Sequence, residues 1–177
     1  MSRALPESER RSDDTYFTPE VLAHALVGLL DVTGRVCWEP HAGKGAFVRA
    51  LNLCGARVTG TDISGEWGVE RDFLTTKPSP YSRLDWIIGN PPFRNHEAHI
   101  DRALSVAPNV AFLLRLAVME SATRAPMWKR WPLRKVWVLA ERPSFTGGGT
   151  DSAAYGFFWW QQGYTGPAEV VPGWSWK

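Results

Sequence analysis

No apolar run approaches the roughly 18 residues a membrane span requires. The first fourteen residues are charged and contain no apolar signal-like stretch, so a cytoplasmic protein without a membrane segment is expected. Cysteine is scarce: Cys37 and Cys54 stand outside any CxxC or zinc spacing, which excludes a disulfide framework and reads as two buried, reduced thiols. No metal site is expected either. His96 and His99 lie three apart on a helical pattern, but no carboxylate or cysteine set completes a ligand shell. The three-glycine dinucleotide fingerprint is missing. So is a phosphate loop, because Lys44 is followed by Gly45 and not by Ser or Thr, and both absences disfavour NAD and ATP. Net charge is only +2, too small to argue from in bulk.

What remains is an ordinary globular composition in 177 residues, 44% hydrophobic and 21% charged, enough for one domain. Residues 1–15 mix charges and serines without an apolar period and read as a flexible arm, residues 16–162 as the folded domain, and 163–177 as a C-terminal tail. Thr18 and Pro19 open a helical pattern, with Thr18 as N-cap, running to about Gly34. Residues 35–39, 57–63, 84–88, 110–114, 136–140 and 154–160 read as strands, and 46–54 and 97–106 as helices. The last two strands make a hairpin around Gly147, Gly148 and Gly149, a flexible loop or a phosphate cradle. Alternating strands and helices predict an α/β fold with a mainly parallel sheet, helices on both faces and ligands outside the carboxyl ends of the strands.

Two stretches carry chemistry. Glu39-Pro40-His41-Ala42-Gly43-Lys44-Gly45 lies between a strand and a helix, where glycines admit a ligand to the backbone. Asp62, nineteen residues past Gly43, stands where a carboxylate can accept from ribose hydroxyls. A plain tight turn explains these residues equally well. The second stretch is sharper: a buried strand stops at Gly89 and continues as Asn90-Pro91-Pro92-Phe93. Consecutive prolines stiffen the turn, so the Asn90 side-chain oxygen and the Pro91 carbonyl stand as two fixed acceptors beside the Phe93 ring.

These residues resemble the Asn-Pro-Pro-aromatic signature of S-adenosylmethionine-dependent amino-methyltransferases, especially the small phage and prophage DNA adenine-N6 enzymes. The resemblance covers residues 16–162 and implies a Rossmann-like sheet of seven strands with an antiparallel terminal hairpin strand. It implies a catalytic set of Asn90, Pro91, Pro92 and Phe93. It assigns cofactor contacts to Tyr16, Phe17, Thr18, Glu39, Gly43, Gly45, Asp62, Asp72, Phe73 and Asn90, with S-adenosylmethionine as cofactor. Phe145, in Arg142-Pro143-Ser144-Phe145, resembles the aromatic element that packs on the extruded base, and ordinary packing is its alternative reading.

Residues 121–135 hold five cations and no acid: Arg124, Lys129, Arg130, Arg134 and Lys135, interleaved with Trp128 and Trp131. They are expected to contact nucleic acid at the substrate edge, the alternative being a solvated helix face with its tryptophans in the core. The expected substrate is adenine in DNA, favoured over RNA. A protein glutamine amide, or a regulator that binds nucleic acid without catalysis, are the other readings. No long target-recognition domain follows the last expected strand, so long-sequence specificity is not expected.

Overall fold

Short β-branched and aromatic runs alternate with amphipathic ones, and side chains two apart along each run belong to the same face of a sheet. The computed structural model describes residues 17–67, 69–77, 83–145 and 152–177. Among them seven strands form one sheet: β1 (Val36–Glu39), β2 (Arg57–Gly60), β3 (Trp86–Gly89), β4 (Asn109–Arg115), β5 (Leu133–Leu139), β6 (Tyr155–Gln161) and β7 (Glu169–Trp174). Their order is β2-β1-β3-β4-β6-β5-β7. The first four strands pair in parallel, β6 runs antiparallel between β4 and β5, and β7 is parallel to β5. The helices are α1 (Glu20–Val27), α2 (Ala46–Leu53), α3 (His96–Val106) and α4 (Ala125–Arg130).

The period of two divides the core. Cys37, Trp86, Ile88, Leu113 and Phe157 pack with α1 and α2 on one face. Trp38, Ile87, Phe112, Phe158 and Trp160 pack with α3 and Met127 of α4 on the other. Because both faces are covered, β3 is buried at all four positions, as a central parallel strand must be. This is the α/β sheet with helices on both faces that the sequence predicts, including the antiparallel β5–β6 pair. Cys37 is buried and its thiol is pushed up to about 12 by that burial and then by the Asp85 charge, whereas Cys54 is half-buried.

Four expectations need correction. The first helix stops at Val27 and not near Gly34, and Thr18 is not its cap: Pro19 holds the N-cap position, while the Thr18 hydroxyl accepts from Asn90. β5 begins at Leu133, so Arg134 and Lys135 belong to the sheet and not to a basic helix. The expected tail contains β7, an edge strand that the exposed pattern of Glu169–Trp174, broken by Pro172 and Gly173, conceals. The fourth concerns direction. Leu133 lies opposite Trp160, and Trp160 opposite Val110 near the start of β4, so β5 starts at the amino edge of the parallel strands. The segment between β4 and β5 therefore leaves the carboxyl edge and crosses to the opposite one.

Phe158 is wholly buried in β6, between β4 and β5, whereas Val170 on the edge strand β7 is 54% exposed. Phe158→Ala is expected to cost about 3–5 kcal/mol in urea unfolding. Val170→Ala should cost under about 0.5 kcal/mol.

Candidate active site

β1 delivers Glu39 to the carboxyl edge, where its side chain is 1% exposed. Oε1 accepts the backbone N–H of His41 at 2.8 Å, and Oε2 meets no hydrogen-bond partner among the described residues. Burial pushes this carboxyl well above the usual range; the His41 N–H opposes the shift and the Asp62 charge adds to it. Next to it β3 ends in Gly89. A Cβ there would overlap the Glu39 carboxylate, so the position carries no side chain.

The loop between β1 and α2 turns through Gly43 (φ 49°) and Gly45 (φ 82°), left-handed conformations that favour glycine. Gly43 N–H donates to Asp62 Oδ2 at 2.8 Å, which ties the loop to the chain just after β2. Asp62 Oδ1 accepts from the Ser64 N–H at 2.8 Å and from the Ser64 hydroxyl at 2.6 Å. The Trp67 ring lies against Gly45 and Gly60 and leaves no room for a Cβ at either, with the Arg49 guanidinium 5.2 Å from the ring. Phe17 packs on Gly43, and Lys44 Nζ stands 4.2 Å from its ring. Asn90 Nδ2 donates to Thr18 Oγ1 at 3.2 Å. The structure thus brings Phe17, Thr18, Glu39, Gly43, Gly45, Asp62 and Asn90 to one edge. Tyr16 lies outside the described residues, as do Gly147, Gly148 and Gly149.

Asp72 and Phe73 flank this group. Asp72 stabilises its own turn, accepting from the Leu74 N–H at 2.9 Å and from the Thr75 hydroxyl at 3.2 Å. Phe73 is buried, edge-on to Trp38 and His41 and stacked on His99. His41 Nε2 and His99 Nδ1 share a hydrogen bond of 2.8 Å, so the loop is also tied to α3. Burial holds both imidazoles below their usual pKa. For His41 the His99 charge adds to the shift; His99 falls to about 4 despite the opposing Asp72. Neither histidine stood out as a cofactor-loop support in the sequence. His96 points elsewhere, its Nδ1 2.9 Å from the Phe93 carbonyl oxygen.

On the other side of Asn90, Pro91 is buried and Pro92 and Phe93 are half-buried. The Arg115 guanidinium lies 4.2 Å from the Phe93 ring centroid and its Nε donates to the Tyr155 hydroxyl at 3.2 Å. Phe145 is 7% exposed and packs edge-on against Phe93. Phe93, His96, Leu114, Arg115 and Arg124 line a cavity of about 210 Å³.

The basic segment is divided. Arg124 stays near this edge, its Nε donating to Glu97 at 3.0 Å and its Nη1 to the Ala117 and Glu120 carbonyls. Trp128 stacks in the core on Trp160. Lys129, Arg130, Trp131 and Arg134 lead to or occupy the amino edge, and Lys135 pairs with Glu169 at 2.6 Å. The expectation that the whole segment reaches the substrate edge does not hold, because β4 ends there and β5 does not begin there.

No family model and no curated protein matches the sequence. Solved structures do match the fold. The M protein of the type I restriction enzyme EcoKI superposes with a TM-score of 0.67 at 12% identity, over 88% of this chain and 45% of that one. The 23S rRNA methyltransferase ErmE gives 0.60 at 16% identity, over 83% and 69%. A predicted O-methyltransferase of Agrobacterium tumefaciens gives 0.61 at 17% identity, over 87% and 85%. This chain spans under half the length of the EcoKI protein. The fold is the Rossmann-like fold of methyltransferases.

The buried groups give opposite pH signatures. His41 and His99 take up protons more readily when unfolded, so their contribution is present above about pH 6.5 and fades as pH falls, for His99 through about pH 4. Glu39 binds its proton more tightly when folded, so its contribution is present below about pH 4.5 and fades as pH rises. Urea unfolding as a function of pH should show a flatter acid limb for His99→Gln and a smaller loss toward neutral pH for Glu39→Gln.

Proposed function

We propose that this chain transfers a methyl group from S-adenosylmethionine to the N6 amine of adenine in DNA. The observation that carries the reading is the position of Asn90-Pro91-Pro92-Phe93. A fully buried strand delivers it to the carboxyl edge, beside a glycine loop held by Asp62 and in contact with Thr18. The likeness in fold to the EcoKI M protein and to ErmE, both of which act in nucleic-acid modification systems by their names, supports the choice of substrate class.

The residues present fit the cofactor. Asp62, just after β2, would accept from ribose hydroxyls, Ile63 beside it, 67% exposed, would pack against a flat ring, and Asp72 and Phe73 would stand on the adenine side. Glu39 has a buried carboxyl with an unused oxygen that would pair with the α-ammonium of the methionine end; such a charge would lower the pKa that burial raises. When bound, S-adenosylmethionine supplies a sulfonium-activated methyl group. The protein's share is to position and polarise. With its amide nitrogen donating to Thr18, Asn90 directs Oδ1 at the amine, and the Pro91 carbonyl accepts the second hydrogen. Consecutive prolines hold that carbonyl in place, and Phe93 provides the stacking surface in a ring environment fixed by Arg115, Phe145 and Tyr155.

Incubation with labelled S-adenosylmethionine and separate DNA, RNA and protein pools, followed by identification of the product, tests the assignment. N6-methyladenine from DNA is expected. Label in RNA adenine or in protein glutamine assigns the site to the corresponding alternative, and absence of transfer with intact cofactor binding indicates a non-catalytic binder. Asn90→Ala should lower turnover on the order of a hundredfold or more, far more than it weakens cofactor affinity. Phe93→Ala should lose about 1–3 kcal/mol of stacking, with partial recovery in Phe93→Trp. Asp62→Ala should weaken cofactor binding by roughly 1.5–3 kcal/mol in calorimetry without affecting base recognition.

A further inference from the structure

The part of the basic segment that lies away from the carboxyl edge builds something else. At the amino edge of the sheet Lys129, Arg130, Trp131, Trp160, Gln162 and Tyr164 line a cavity of about 320 Å³. No acidic side chain lines it among the described residues. Two of its three rings are held at their polar atoms: Trp131 Nε1 donates to Asp101 at 2.5 Å, and the Tyr164 hydroxyl donates to the Pro167 carbonyl at 2.6 Å. Arg134 lies 4.9 Å from the Tyr164 ring and Arg130 lies 5.0 Å from the Trp131 ring. Gln162 is fixed by its Nε2, which donates to the Leu104 carbonyl at 2.8 Å. Side chains ordered before binding lose little further freedom when a ligand enters. Asp101, 4.0 Å from Arg130, offsets part of the charge, while Lys129 at the mouth is exposed.

Fixed aromatic walls with cations at the opening suit a ligand that carries a flat ring and a negative charge on adjacent atoms. A nucleotide has both. We propose that this cavity holds one nucleotide of a nucleic-acid single strand, its base against Trp131 and Tyr164 and its phosphates against Lys129 and Arg130. The proposal rests on the reading that the substrate is nucleic acid. It places this contact away from the reacting base, because the seven residues of β4, at about 3.3 Å each, separate the two edges by roughly 20 Å. A strand that spans this distance is held at a second point, so the cavity contributes affinity and leaves the chemistry to the carboxyl edge.

Fluorescence polarisation with a short labelled deoxyadenylate strand, measured across a salt series, tests this. Lys129→Ala/Arg130→Ala changes two exposed side chains and should keep the wild-type melting temperature. It should bind roughly tenfold more weakly, and the slope of log affinity against log salt should fall by about 1.4, near 0.7 for each lost cation. Tyr164→Leu and Trp131→Ala should each lose between about fivefold and a hundredfold through stacking. Cofactor affinity by calorimetry should be unchanged in all of them. Unchanged strand affinity and salt slope in Lys129→Ala/Arg130→Ala would overturn the proposal, as would equal losses on a blunt duplex of the same length, which has no splayed base to insert. The two readings fail separately. Methyl transfer to DNA with no effect of these variants on strand binding removes the cavity and leaves the proposed reaction; the predicted binding losses without transfer to any nucleic acid do the reverse.

Discussion

The Glu39 carboxylate occupies the space that a side chain at position 89 would need, and the carboxyl edge is organised around that fact. β1 and β3 are adjacent parallel strands, so their last residues, Glu39 and Gly89, meet side by side. One continues into the glycine loop and the other into Asn90-Pro91-Pro92-Phe93. Only glycine at 89 lets the acid turn inward, and only that inward turn allows Oε1 to receive the His41 N–H that shapes the loop. A buried carboxyl with an unused oxygen is an unfavourable element of a resting protein. The raised pKa of Glu39 expresses the same physics.

Around this contact the two loops are tied by separate bonds of ordinary strength. Asp62 holds Gly43, Thr18 holds Asn90, and His99 holds His41. Trp67 adds a packing constraint by lying against Gly45 and Gly60. The opposite edge is organised differently, with anchored rings and cations and, among the described residues, no comparable buried acid. A sheet whose parallel strands all point one way separates these two environments: loops leaving the carboxyl ends build one, and the starts of β5 and the segment after β6 build the other.

How far the sequence revealed this depended on how local each signal was. Asn90 to Phe93 was legible because an apolar run, a glycine and two prolines fix a strand end with no distant information. The Gly43 and Asp62 relation was legible through a spacing that the β1-loop-α2-β2 unit imposes. Thr18 looked like a helix cap because a hydroxyl before Pro19 normally serves that purpose; its real partner lies 72 residues away. β7 was hidden because an exposed edge strand with Pro172 and Gly173 has neither alternation nor a buried run. The five cations looked unneutralised because Glu97, Asp101 and Glu169, which approach Arg124, Arg130 and Lys135, are distant in sequence. The His41–His99 pair and Trp67 carried no local pattern at all, since their roles exist only after the chain has folded.

The mutual fit of positions 39 and 89 can be measured directly in a double-mutant cycle by urea unfolding. Gly89→Ala should destabilise the wild-type background by about 1–3 kcal/mol through overpacking against the carboxylate. In the Glu39→Ala background, where the added methyl group has room, the same substitution should cost much less, giving a coupling energy of at least about 1 kcal/mol. Costs that add to within about 0.5 kcal/mol would contradict the account, because the two loops would then not be joined through this contact.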